Sequence, residues 1–419
     1  MLNAGIRRRT PPYAFADFHS TPPTDRGRRR MTSRNQPVSH ATGRFPERPI
    51  AAERAAAWQK LLHDEVAHRA LDEPGRLLSA YFRERERSSL GQIVSTANKL
   101  AAACETVFVV GPRAAIKSVE MLIAATTHPF HNWLGPGGRA GRARLIALEA
   151  CGDNDLLQGA LDLVRRACDG PTLHDRWALA VVDGDVATTD AEKRLVAATA
   201  APLAAALQAA ATSDDDLRTR LYVLSRGAAD ELLPRGLAHT SLPLLEPALF
   251  FNGPALFGAT LVGDDTVTLL KGATWFWEAA RRRLAAESPI VQLAEFLAQP
   301  EVRIAAWHHS VEPLARRFAA TARRRRDDSR MRVVAPFHAA ESLDEDDAEH
   351  APTLHLWAES VRRDRLAIAP PEERAAAAAA QPGSAEIQLT RPSDVALGEL
   401  CQWFTAVQIL ESLTIRSDR

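Results

Sequence analysis

The run His-Leu-Trp-Ala-Glu-Ser at 355–360 holds the carboxylate with the clearest chemical prospect in the chain. Burial can tune a glutamate such as Glu359 into a general base that works near neutral pH. The same residue also reads as part of a surface helix over 354–365, with Arg362 or Arg363 one turn on as an ion-pair partner. A second acidic site, Asp183-Gly-Asp185, precedes the hydroxyls of Thr188 and Thr189. Two such carboxylates could bridge a metal to a phosphate, or could simply be solvated. Histidines recur at 308, 309, 338, 350 and 355. His350 and His355 are five apart, not the three or four that places two ligands on one helical face. Asp153-Asn154-Asp155 lacks the further acids and glycine of a calcium loop, and Asp153 or Asn154 serves better as a helix N-cap. The four cysteines form no CxxC pair, so buried, reduced thiols are expected. No metal and no cofactor follows from these residues.

The totals exclude several classes. Lys+Arg and Asp+Glu stand at 52 each, leaving no global field for nucleic acid or an anionic membrane. Basic runs at 7–9, 28–30 and 323–326 read as solvated faces or tail. The most apolar window, 242–262, is broken by Glu246, Asn252, prolines and glycines, so it reads as buried strand and loop, not a membrane span. No secretory signal opens the chain, and a cytoplasmic location is expected.

The elements that must position these residues follow from texture. Residues 1–48 are rich in Arg, Pro, Ser and Thr without an apolar period, which predicts a disordered basic tail. Helices are expected over 50–67 and 73–87. Short, unalternated apolar runs then recur at 106–110, 144–148, 177–182 and 218–224, separated by helical spacing over 117–127, 155–168 and 190–211. That order indicates βαβ units and a parallel sheet covered on both faces. Ligands in such sheets bind beyond the carboxyl ends of the strands, where helix N-termini offer free amides. Further helices are expected over 266–283, 290–298, 311–323 and 396–413, with a strand at 331–336 and an Ala-rich linker over 370–385.

Several segments, taken in order, resemble the phosphoglucose isomerase family, whose members are built from two sugar-isomerase (SIS) domains. They are His128-Pro-Phe-His-Asn132, Cys151-Gly-Asp-Asn-Asp-Leu-Leu-Gln158, Asp175-Arg-Trp-Ala-Leu-Ala-Val-Val182, Leu269-Leu-Lys-Gly-Ala273 and Leu397-Gly-Glu-Leu400. Residues 355–360 resemble the family's Q-L-x-x-E-S-x-G-K, whose glutamate is the catalytic base, although Val361, Arg362 and Arg363 follow. The resemblance implies two α/β/α sandwiches, each a doubly wound parallel sheet. They would occupy 49–215 and 216–419 behind the disordered tail. It also implies conversion of glucose 6-phosphate to fructose 6-phosphate, with Glu359 as the base.

The family's anchoring parts are altered. The loop G-I-G-G-S-x-L-G is here Gly111-Pro-Arg-Ala-Ala-Ile-Lys-Ser118, which keeps Gly111 and offers Arg113 and Lys117 as replacement cations beside Ser118. The loop S-K-S-G-x-T-x-E-T becomes Asp183-Gly-Asp-Val-Ala-Thr-Thr-Asp-Ala191, where two carboxylates would repel a phosphate and Thr188 and Thr189 remain. The family arginine falls near Pro247, the segment 370–385 holds no histidine, and the chain stops before the family's final lysine. Two expectations result. One is an isomerase with weak or lost activity; the other is a non-catalytic homologue that binds a sugar phosphate or serves in an assembly. The resemblance implies a homodimer or a hetero-oligomer, with no nucleic acid or membrane partner.

Overall fold

The computed structural model describes residues 39–46, 49–167, 176–184, 188–226, 232–245, 250–283, 287–323, 330–335, 352–358, 384–390 and 393–417. A short strand, β1 (Ala41–Arg44), leads into helices α1 (Ala52–His63), α2 (Glu65–Leu71), α3 (Glu73–Glu84) and α4 (Ser89–Ala103). The first sheet is then laid down as β2 (Thr106–Gly111), α5 (Arg113–Thr126), β3 (Arg144–Glu149), α6 (Asn154–Ala167) and β4 (Trp177–Val182). It continues through α7 (Asp190–Ala210), α8 (Asp214–Arg218), β5 (Leu221–Ser225) and β6 (Thr240–Pro243). Two adjoining helices, α9 (Gly253–Val262) and α10 (Thr266–Ala280), lead through α11 (Pro289–Leu297) to the second sheet. That sheet comprises β7 (Glu301–Ala306), β8 (Arg330–Val334), β9 (Thr353–Ala358) and β10 (Ala385–Leu389), with α12 (Glu312–Arg323) after β7 and α13 (Asp394–Ser417) last.

The first sheet runs β3-β2-β4-β5-β6, parallel throughout. Its inner strands are buried on both faces, which explains their unbroken apolar runs. Val107 and Val109 of β2 face α4, α5 and α9, while Phe108 and Val110 face α6 and α7. The second sheet runs β1-β10-β9-β7-β8, with four parallel strands and β1 antiparallel at one edge. The fold is therefore the expected α/β type with two doubly wound parallel sheets. No helix among the described residues is long and apolar enough to cross a membrane.

Four sequence expectations need correction. The segment at 353–358 is a strand, not the start of a helix over 354–365: Leu354, Leu356 and Ala358 face the large core and Trp357 the opposite face, a period of two. Residues 41–44, placed in the disordered tail, form β1. The buried Glu399 carboxylate accepts from the backbone N–H groups of His40 (2.9 Å) and Ala41 (2.7 Å) and from Ser39 Oγ (3.0 Å), so α13 holds this strand in place. The boundary at 215/216 would cut the first sheet, because β5 and β6 complete it and Ser39–Arg419 forms one compact unit. The apolar window at 242–262 ends in a helix, α9, all ten of whose residues are buried; apolar on every side, it shows no amphipathic period. A smaller shift occurs at 218, where Ser213 caps the short α8 and the strand begins at Leu221.

The second half is fixed on the first by the crossing of α10 and α13. A Cβ on Gly272 would overlap the carbonyl oxygen of Val395, and one on Gly398 would overlap that of Leu269. The two backbones therefore touch, and only glycine fits at either position. Gly398→Ala should cost roughly 3 kcal/mol of unfolding free energy, read from denaturant midpoints. Gly159→Ala is the control, since a Cβ there meets nothing within 4 Å in helix α6; it should stabilise by roughly 0.5–1 kcal/mol.

Candidate functional site

The carboxyl ends of β2, β4 and β6 open onto a cavity of about 350 Å³. Three helices begin at its rim. Pro112 starts α5 and supplies no side-chain cap, so the first amides of that helix remain open. Asn252 caps α9 by accepting from Ala255 N–H at 2.9 Å, and Pro254 follows in the first turn. Thr188 and Thr189 precede α7. The opposite wall comes from the second half: Arg317 of α12, and Thr405, Gln408 and Ile409 of α13. The apolar part is supplied by Pro112, Ala115, Val182, Leu244 and Leu245, among others. Arg317 is the only charged side chain among the described lining residues.

The structure sorts the residues singled out from the sequence. Ser118 and Thr188 both line the cavity. Ser118 is fully buried, and its hydroxyl donates to the Ala114 carbonyl at 2.9 Å. Gly111 is the last residue of β2, and a Cβ there would stand 2.9 Å from Val182 Cβ, so this glycine answers to strand packing. Arg113 points away; its guanidinium lies 3.9 Å from Glu149 and is largely exposed. Lys117 pairs at 2.7 Å with Glu120 on the surface. Neither cation lines the cavity, so the expected replacement of the phosphate loop by Arg113 and Lys117 is not what the geometry provides. Thr189 is committed to α7. Its hydroxyl accepts from Glu192 N–H at 3.2 Å, and the Glu192 carboxylate accepts from Thr189 N–H at 2.8 Å and from the Thr189 hydroxyl at 2.9 Å; the two bonds to the carboxylate lower the Glu192 pKa. Asp183 stands 3.9 Å from Lys193 and does not line the cavity.

Glu359 lies outside the described residues, as do Asp185, Pro247, His338, His350 and residues 359–383. Among neighbours of Glu359, His355 is 1 % exposed within β9, and its Nδ1 accepts from Trp307 Nε1–H at 3.0 Å. Burial holds its pKa down at about 4, so the ring is neutral at ordinary pH. His308 and His309 stack at 4.3 Å between ring centroids, with burial pushing His308 to about 4 as well. Among the described residues, no group of three His, Cys, Asp or Glu side chains could hold a metal ion.

Sequence reasoning missed the far wall. Asn252-Gly-Pro254 carries a helix-start signature that could have been read. Arg317 sits in an amphipathic helix and Thr405 and Gln408 in α13, whose residues 396–408 are all buried, and only the packing of these helices aims the three side chains at the sheet. No local signal marks them.

No protein-family model matches the chain, and no curated protein matches its sequence. Solved structures do match in fold. A hypothetical protein from Thermus thermophilus aligns at 15% identity over 86% of this chain and 88% of its own, with a TM-score of 0.60. A glucose-6-phosphate isomerase from Chlamydia trachomatis aligns at 13% identity over 88% of this chain and 74% of its own, with a TM-score of 0.54. At these identities the likeness establishes the architecture.

Gly184 holds the rim of the cavity. Its φ of +96° is in the left-handed region, and a Cβ would overlap Thr188 Oγ1. Gly184→Ala should therefore displace the Thr188 segment and cost about 2 kcal/mol, measured as a fall in the denaturant midpoint.

Proposed function

We propose that the chain binds a small phosphorylated sugar in this cavity and that the isomerase chemistry of the family it resembles is weak or lost. One observation carries the reading: a helix N-terminus without a side-chain cap opens onto a cavity whose described lining has Arg317 as its one charged side chain and no carboxylate or histidine. An anion is favoured by the Arg317 charge and by the amides of α5. The apolar wall suits the carbon skeleton of a compact ligand. Aldose–ketose isomerisation also needs a base within reach of two adjacent carbons. Glu359, four residues beyond the neutral His355 in the sequence and outside the described residues, is the candidate that the family resemblance gives for that role.

Fructose 6-phosphate should raise the melting temperature of the purified protein in a saturable way. Arg317→Ala should weaken that response by about tenfold or more, as expected when a charge-assisted contact to phosphate is lost. Coupled turnover should stay near background. Ordinary turnover abolished by Glu359→Gln would contradict the loss of chemistry, and an unchanged response in Arg317→Ala would contradict the anion site.

A second reading, a subunit of an assembly, is favoured by the turn after α5. Trp133 is 86% exposed there and Phe130 63%. Large exposed aromatics are characteristic of interfaces. Light scattering on a sizing column should report a dimer or larger species that Trp133→Ser shifts toward monomer.

A further inference from the structure

Asn252 stands at the start of α9 with one end of its carboxamide committed. Its Oδ1 accepts from the Ala255 N–H at 2.9 Å. A backbone N–H can only donate, so the atom it meets is the oxygen, and the amide cannot be turned over without losing the cap. The other end is an NH2 group, which has two hydrogens to give. It makes no hydrogen bond among the described residues. Asn252 is half-buried in the wall of the cavity, so those hydrogens go to water or to a ligand that displaces it.

Arg317, across the cavity, is also a group that only donates. Two donor-only groups call for a partner that accepts without having to donate. In a sugar phosphate that partner is the set of terminal phosphate oxygens, whereas every sugar hydroxyl brings a hydrogen that must be placed as well. The end of Asn252 that could receive such a hydrogen is turned to the helix. We propose that Asn252 is a specificity-determining residue of the cavity: its NH2 donates to the phosphate of the bound sugar while Arg317 pairs with that phosphate from the wall supplied by α12. A residue so placed favours a phosphorylated sugar over the free sugar. Helix α9 is unaffected by the ligand, because its cap uses the opposite end of the same amide.

The inference rests on the reading that the cavity binds a sugar phosphate, and the test separates the two. Serine and aspartate cap helices about as well as asparagine. Asn252→Ser therefore removes the two hydrogens without adding charge, and Asn252→Asp replaces them with a negatively charged acceptor. Without ligand, the full-length variants should melt within about 2 °C of wild type. Fructose 6-phosphate should bind about tenfold more weakly to Asn252→Ser, as when one hydrogen bond to a charged group is lost, and more weakly still to Asn252→Asp. Asn252→Ser and Arg317→Ala combined should weaken binding by less than the product of their separate effects, because both groups act on one phosphate. An unchanged dissociation constant in Asn252→Ser, with wild type binding, would overturn the role of Asn252 and leave the cavity reading standing. Independent losses in the double variant would put the two donors on separate parts of the ligand and overturn the assignment to the phosphate. A marked fall in the ligand-free melting temperature of both variants would mean that the NH2 serves the fold, which also overturns it. Absence of binding by wild type would remove the cavity reading and the role of Asn252 together.

Discussion

The molecule depends on the contact between α10 and α13 at Gly272 and Gly398. Two helices whose backbones touch cannot slide or rotate without collision, because the packed interior has no room to redistribute volume. Every functional feature of α13 is referenced to that point. Glu399, the next residue, reaches β1 and completes the second sheet; Gln402 donates to the Leu71 carbonyl at 2.6 Å and fixes the first helices. One to two turns further on, Thr405 and Gln408 arrive at the cavity. The crossing thus sets the register by which a helix of the second half becomes a wall for a site on the first sheet.

The sequence disclosed the first sheet well because its strands are short, continuous apolar runs separated by helices. It disclosed the second half poorly where tertiary packing overrode local pattern. At 353–358 the alternation of Leu354, Leu356 and Ala358 with His355 and Trp357 is that of a strand, but the charged residues after Ala358 carry a helical spacing that masks it. In α9 the opposite problem holds, since a helix buried all round has no polar face to reveal its period. The segments Leu269–Ala273 and Leu397–Leu400, individually weak as family marks, turn out to contain the two halves of the helix crossing. Their glycines are explained by contact with carbonyl oxygens.

The candidate site was half legible. The rule that ligands sit beyond strand carboxyl ends points to the end of the first sheet where the cavity opens, and Ser118 and Thr188 line that cavity. The charges were misassigned. Arg113 and Lys117 look suitable in a linear alignment, yet the helical twist of α5 turns them toward Glu149 and Glu120. The cation that does reach the cavity comes from α12, about two hundred residues later in the chain. Gly111 likewise answers to strand packing, the close approach of Val182 in β4. On the proposed reading, the sugar phosphate would take its cation from α12, on the far wall, and not from α5.

The central claim is that this cavity binds a sugar phosphate without efficiently isomerising it. Phosphorus-31 NMR of fructose 6-phosphate titrated with the purified protein reads both halves of that claim at once. The account predicts a concentration-dependent shift or broadening of the fructose 6-phosphate resonance while no glucose 6-phosphate signal grows in. An unperturbed resonance, or prompt appearance of glucose 6-phosphate, would contradict it.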